Sequence, residues 1–265
     1  MIDAWQAFWL ALVQGLTEFL PISSSGHLAL VPVMLGWPDQ GLAFDVAVHV
    51  GSLVAILAYF RADVWKLIMA IPRALRFSDD ADSRMLWYLV LATAPIIIFG
   101  ALLADTVETY LRDPRVIAWA SIIFGVVLLI ADQAGRRSQS LDRLNWRHAL
   151  WVGCAQVLAL IPGASRSGVT LSAGLLLGYT RTEAARFAFL LSIPTILAAG
   201  VYKGMGLIKH AVDIDSSLFA LGIVVSAVSA FLCVALFIRL IERVGLLPFV
   251  IYRVLLGVVL LIVYR

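Results

Sequence analysis

Charge is scarce in this chain. Of its 265 residues only 14% are Asp, Glu, Lys or Arg, against 62% hydrophobic, and the mean hydropathy is +0.96. A soluble domain of that length fills its core with less apolar residue and covers its surface with more charge. Soluble classes are therefore excluded, and the composition points to a polytopic helical membrane protein. An excess of one sign is also missing: the net charge is +3 with a pI near 9.0, and the basic residues lie in short pieces between apolar runs, which excludes a nucleic-acid partner. Cysteine is almost absent. Cys154 and Cys233 sit in apolar segments with no CxxC or Cys/His spacing, so two small buried hydrophobes are expected in preference to a disulfide or zinc site. The basic flank and small-residue cleavage site of a secretory leader are lacking as well, since the first apolar stretch follows Asp3, so no cleavable signal peptide is expected.

What is abundant is apolar sequence in lengths suited to a bilayer. Uninterrupted segments at 44–60, 86–104, 115–131, 187–206, 217–238 and 247–264 each approach the ~20 residues that a hydrocarbon core requires. Two further stretches, 4–36 and 147–178, are too long for one span and too short for two, and each is broken in its middle, by LPISSSG and by IPGASRSG. Proline ends a helix interior and serine caps a restarted one. Each stretch is expected to be a re-entrant pair of half-helices.

The two broken stretches resemble each other. Gln14 aligns with Gln156, Ser23 with Ser165, Ser25 with Ser167 and Gly26 with Gly168, all at an offset of 142, and GVVLLI recurs at 125–130 and 257–262. Because three full spans follow each broken pair, the second copy must enter the membrane from the opposite side. The expected fold is an all-α polytopic membrane protein with an inverted-topology repeat: six full spans plus two re-entrant broken-helix pairs meeting near mid-membrane. It forms a single membrane domain over residues 1–265, with repeat one at about 1–135 and repeat two at about 146–265. Thirteen basic residues fall in the segments 61–84, 133–148, 179–186 and 239–246, and five (Arg112, Arg115, Lys203, Lys209, Arg265) on the other side. The positive-inside rule makes the first side cytoplasmic and puts both termini outside.

Polar chemistry gathers at the breaks. Non-helical backbone at membrane depth lines a cavity or is buried in protein, and ionisable groups there mark function. Restarted helices aim N–H groups at the centre. Arg166 adds a planar fork matched to phosphate oxygens, and the hydroxyls of Ser23, Ser24, Ser25, Ser165, Ser167 and Thr170 add donors, so the centre suits a phosphate-like anion. Glu18 shares a helix face with Gln14 at i, i+4, an oxygen pair that together with substrate phosphates suits a hard divalent cation such as Mg²⁺. His27, three residues after Ser24, is placed to act with it as base or acid. Plainer readings stand beside these: Ser23 and Ser25 as helix caps, Glu18 as a hydrogen-bonded structural carboxyl, and Asp45 and His49 paired with each other. Arg253 either snorkels or binds a carboxylate such as Glu18 or Asp45. The tryptophans near segment ends read as interfacial anchors.

QGLTEFLPISSSGHL (14–28) and PGASRSGVT (162–170) resemble the paired signature motifs of the undecaprenyl-pyrophosphate phosphatase, or bacitracin-resistance, family, and the resemblance extends over nearly the whole chain in length, span count and repeat order. It implies a multi-pass enzyme of the bacterial inner membrane that removes the terminal phosphate of undecaprenyl pyrophosphate, regenerating the lipid carrier for cell-wall synthesis. It also implies a divalent cation, Mg²⁺ or alternatively Ca²⁺, and a site opening to the periplasm. By motif position Ser24 is the nucleophile, Glu18 the key carboxylate, His27 the acid/base partner and Arg166 the phosphate clamp. Gly26 and Gly168 join the serines and Thr170 in binding substrate, and Glu18 and Gln14 in holding metal. Gln14 stands where the family's first acidic position falls, a neutral ligand in place of a charged one. Expected partners are the polyprenyl pyrophosphate and membrane lipids, with room for a homodimer. The rival function is a lipid or anion transporter or flippase, since inverted repeats with broken helices are transporter architecture. A pure transporter has no need of a serine flanked by Glu and His.

Overall fold

A computed structural model describes residues 2–111, 113–209 and 215–264, so Arg112 and Arg265 of the outer charge set lie outside it. The regular elements of the described residues are all helices, joined by turns and loops, with no strand. Helix α1 (Ala4–Thr17) opens on a capping box: Asp3 accepts from the Gln6 backbone N–H at 2.8 Å and the Gln6 side chain accepts from the Asp3 N–H at 3.0 Å. After a break comes α2 (Ser24–Leu35), ended by Gly36 in the left-handed region at φ 66°. Then follow α3 (Gly41–Tyr59), α4 (Arg61–Ala74), α5 (Ala81–Tyr110) and α6 (Pro114–Ala134). The second half begins with α7 (Trp146–Gln156), a 3₁₀ turn over Val157–Leu160 and a second break. It continues through α8 (Arg166–Leu176), α9 (Arg181–Lys209), α10 (Ser216–Val244) and α11 (Leu247–Val263).

Five of these helices, α3, α5, α6, α9 and α10, are long and apolar enough to cross a membrane. They contain five of the six expected spans. The segment expected as the sixth falls on α11, an apolar helix of 17 residues that extends about 26 Å at 1.5 Å per residue and is shorter than those five. The segment 61–84, read from its charges as a cytoplasmic loop, contains the helix α4. Its Trp65, Ile68 and Met69 are exposed while Ala70 and Ala74 are buried, the pattern of a helix that keeps apolar side chains on its outer face beside its charges.

Small residues bring the helices close. An added Cβ at Gly51 of α3 would collide with the Ile223 carbonyl of α10, and one at Gly15 of α1 with Ser229 and the backbone of Ser226. Across the same seam Ser52 Oγ lies 3.0 Å from Ser226 Oγ, and Ser226 Oγ donates to the Val48 carbonyl at 2.6 Å. In a bilayer, with no hydrophobic drive between helices, such close backbone approach and shared hydroxyls supply the association.

The two breaks match in backbone geometry. Ser23 and Ser165, the residues just before α2 and α8, both adopt positive φ, 71° and 70°. Neither is glycine, so each carries local strain that its surroundings must hold in place. Those surroundings include Arg253 of α11, which is fully buried. Its Nη1 donates to the Pro21 carbonyl at 3.0 Å, its Nη2 to the Gly163 and Ala164 carbonyls at 2.8 and 2.9 Å, and its Nε to Ser121 at 3.1 Å. Arg253 thus neither snorkels nor pairs with Glu18 or Asp45, the alternatives its position suggested. It satisfies backbone carbonyls that the breaks leave without helical partners. Gly168 leaves room for it, since a Cβ there would lie 3.0 Å from Arg253 Nη1.

Candidate active site

Glu18 terminates α1, and its buried carboxylate is the meeting point of the two halves. Oε1 accepts from Arg166 Nη2 at 2.6 Å. Oε2 accepts from Gln14 Nε2 at 2.9 Å and from Ser24 Oγ at 2.5 Å. Arg166 opens α8, and its Nη1 donates to the Ser192 carbonyl of α9 at 3.2 Å. A second tie joins the breaks, Ser167 Oγ donating to the Leu20 carbonyl at 2.7 Å. The local geometry is the same on both sides: Pro21 and Pro162 lie in the turns, where a missing N–H costs no helical bond, Ser23 and Ser165 at positive φ redirect the chain, and the restarted helix begins with Ser24 or Arg166 turned inward.

These groups border a cavity of about 180 Å³ lined by Glu18, Ser23, Ser24, Ser25, Ser165 and Arg166, with Val46 and His49 from α3, Ala159, and Thr195, Ile196, Ala199, Gly200 and Lys203 from α9. The residues expected to bind substrate therefore divide. Ser23, Ser25 and Ser165 face the cavity, whereas Gly26, Ser167, Gly168 and Thr170 do not. Thr170 Oγ1 returns to the Arg166 carbonyl at 2.8 Å, and a Cβ on Gly26 would lie 3.3 Å from Ile117.

His27 is turned away from Ser24. Its Nδ1–H donates to the Ser23 carbonyl at 2.7 Å, which leaves Nε2 to accept from the Tyr252 hydroxyl at 2.5 Å, and the two rings stack at 10°. Spacing of three residues on a helix places Ser24 and His27 on one face only within the helix. Ser24 is the first residue of α2, and its side chain folds back over the break to Glu18 instead. The imidazole that does approach the carboxylate is His49, with Nε2 at 3.7 Å from Glu18 Oε2. Its Nδ1 is held by the Asp45 backbone carbonyl at 2.7 Å, while the Asp45 carboxylate accepts from Gln40 at 2.9 Å, so the two side chains are not paired with each other. The i, i+4 spacing of Asp45 and His49 gave no hint that His49 reaches Glu18. Lys203 registers in the sequence only as a loop charge, and nothing in the sequence singles out Tyr252.

Among the described residues no group of three or more His, Cys, Asp or Glu side chains is arranged to hold a metal ion. The donor set beside Glu18 is instead one carboxylate, one amide and hydroxyls. Gln14 Oε1 is buried there with no hydrogen-bond partner, an oxygen still able to accept. That set fits a hard cation that takes its other oxygens from a phosphorylated ligand and from water.

The arrangement can hold an anion on Arg166, the cavity-facing serines and the start of α2, and can present a hydroxyl that donates its proton directly to a carboxylate. That is the relation between an activated nucleophile and its base.

The family model described as bacitracin resistance protein BacA matches residues 7–259. An undecaprenyl-diphosphatase of Alcanivorax borkumensis is 53% identical over 263 residues, 98% of each chain. One of Teredinibacter turnerae is 52% identical over 254 residues, 96% of each chain, and undecaprenyl-diphosphatase 2 of Stutzerimonas stutzeri is 51% identical over 267 residues, 99% of each chain.

Proposed function

The chain belongs to the bacitracin resistance protein BacA family, and on that premise we propose that it is an integral membrane undecaprenyl-diphosphatase, hydrolysing undecaprenyl pyrophosphate to undecaprenyl phosphate and inorganic phosphate. The observation that carries the chemistry is the shared carboxylate: Ser24 Oγ at 2.5 Å on one oxygen of Glu18 and Arg166 at 2.6 Å on the other.

In the reaction Ser24 Oγ attacks the terminal phosphorus while its proton passes to Glu18. The bridging P–O bond breaks, its electron pair leaving with the lipid monophosphate, and water then hydrolyses the phosphoserine to release inorganic phosphate. Arg166 offers Nη groups to the phosphoryl oxygens on which charge builds, and the N–H groups at the start of α2 add to that field. Glu18 with Gln14 would hold a divalent cation, Mg²⁺ first among candidates, which when bound supplies charge neutralisation on the diphosphate.

We also read the fold as an inverted repeat whose breaks meet within the membrane. Supporting it are the positive φ of Ser23 and Ser165 at matching positions and the common anchorage of both breaks on Arg253. With the basic segments inside, the cavity opens to the periplasmic side of the inner membrane. The test is phosphate release by the purified protein from a long-chain prenyl diphosphate. Release that vanishes in Glu18→Gln and Ser24→Ala supports the assignment. Robust turnover by Ser24→Ala transfers the attack to water, and absence of release from the unaltered protein returns the fold to the transporter reading.

A further inference from the structure

The cavity has a second charged end. Glu18 and Arg166 meet at 2.6 Å and neutralise each other, yet the prenyl diphosphate brings more than one negative charge. Arg166 is tied to the Ser192 carbonyl of α9, and Lys203 lies eleven residues further along that helix, about 16 Å along the axis at 1.5 Å per residue. Between them Thr195, Ala199 and Lys203 recur at i, i+4 and i+8, a single face turned to the cavity. Gly200 borders open space there, for a Cβ on it would meet nothing within 4 Å. Lys203 forms no ion pair or hydrogen bond with any described residue, whereas Arg166 is already engaged by both Glu18 and Ser192.

Resting on the diphosphatase reading of this cavity, we propose that Lys203 binds the phosphate that remains on the lipid, and so sets the preference for a diphosphate over a monophosphate. A single phosphate at Ser24 and Arg166 leaves Lys203 without a partner. A diphosphate extends from the Ser24 end toward Lys203, whose flexible four-carbon stem carries a point charge back into the cavity. The retained phosphate does not react, so it needs charge rather than the bidentate geometry of the reacting one, and lysine is adequate there. Cleavage separates the two anchored groups. Each product then holds to one end only, which favours its release.

The experiment uses the full-length protein in detergent, with a long-chain prenyl diphosphate as substrate and with inorganic pyrophosphate and inorganic phosphate as competing inhibitors. Lys203→Met is expected to raise KM about tenfold, equivalent to about 1.4 kcal/mol of binding, with the loss falling on KM more than on kcat. Lys203→Arg is expected to recover most of it. The unaltered protein should be inhibited more strongly by pyrophosphate than by phosphate, and Lys203→Met should narrow that ratio, a change that a purely structural role would not produce. If the Met variant misfolds, Lys203→Gln carries the same test. An unchanged KM and an unchanged inhibitor ratio in a folded variant overturn the assignment of Lys203 while leaving the diphosphatase reading intact. Failure of the unaltered protein to release phosphate overturns both.

Discussion

At the scale of single residues the site is a contest for one carboxylate. Glu18 accepts from Arg166, Gln14 and Ser24 and has His49 beside it, so replacing its carboxylate by an amide of the same shape removes the charge that Arg166 pairs with and one of the two acceptor oxygens that these groups share. Glu18→Gln should leave a folded, membrane-inserted protein with almost no turnover, and near-normal activity across a range of Mg²⁺ would remove Glu18 from the mechanism. Arg166→Lys keeps a positive charge and loses the fork. Its rate should fall on the order of a hundredfold, ~2.7 kcal/mol of transition-state stabilisation, as read from kcat/KM. The two histidines should behave differently. His49→Ala removes a group from the cavity wall and should lower turnover at unchanged thermal stability. His27→Ala removes the partner of Tyr252 and should lower the unfolding temperature, an effect that Tyr252→Phe should share in part. Equal stability of all three variants would show that the His27–Tyr252 contact is not structural.

At the scale of elements the breaks depend on a clasp outside them. Arg253 reaches from α11 to carbonyls in both breaks, and Arg253→Met would leave several buried carbonyls without donors. Each such orphan costs about 1–3 kcal/mol, so the variant should unfold at markedly lower temperature in detergent and lose activity although Arg253 is absent from the cavity wall. Survival of both properties would mean that the carbonyls find other partners. The α4–α5 corner offers a test by pH. Asp80 caps α5, and the hydroxyl and backbone N–H of Ser83, followed by Arg73, hold its carboxyl well below the ordinary value of 3.8. Its folded-state value is depressed, so its contribution is fully present above pH 3.8 and is lost as pH falls toward the folded value. Amide exchange in the first turn of α5 should therefore lose protection in acid, and Asp80→Asn should remove that dependence.

At the scale of the whole molecule the decisive relation is between halves. Ser23 and Ser165 lie 142 positions apart in the chain (165 − 23) and line the same cavity. Cysteines at these two positions, in a background lacking Cys154 and Cys233, should be bridged by a short cross-linker, read as a shift in mobility after proteolysis between the halves. An active protein whose cysteines cannot be bridged would separate the loops and dissolve the shared site. The ion pair of Arg181 with Asp132, at 2.6 and 2.8 Å, also joins the end of α6 to the start of α9, so the halves are tied at more than one level.

By itself the sequence determined the class, because a bilayer imposes its thickness and its polar accounting on every segment: long apolar runs must be helices, and a Pro-Ser interruption inside one must be a break. It also marked Glu18, Ser24 and Arg166 as one chemistry, since ionisable groups are too costly at such breaks without a partner. It did not reveal the helix α4, whose charges disguise an exposed apolar face. Nor did spacing reveal where side chains point at a helix's first turn, and there Ser24 folds back to Glu18 while His27 turns to Tyr252. Which residues from distant helices line the cavity was decided only by packing. His49 reaches Glu18 because α3 lies close along α10 beside α1, and Lys203 faces the same space because α9 passes Arg166 with one face inward. Arg253 became a clasp for the same reason: backbone carbonyls left free by two distant breaks converge only in three dimensions, and a sequence carries no sign of an unpaired carbonyl.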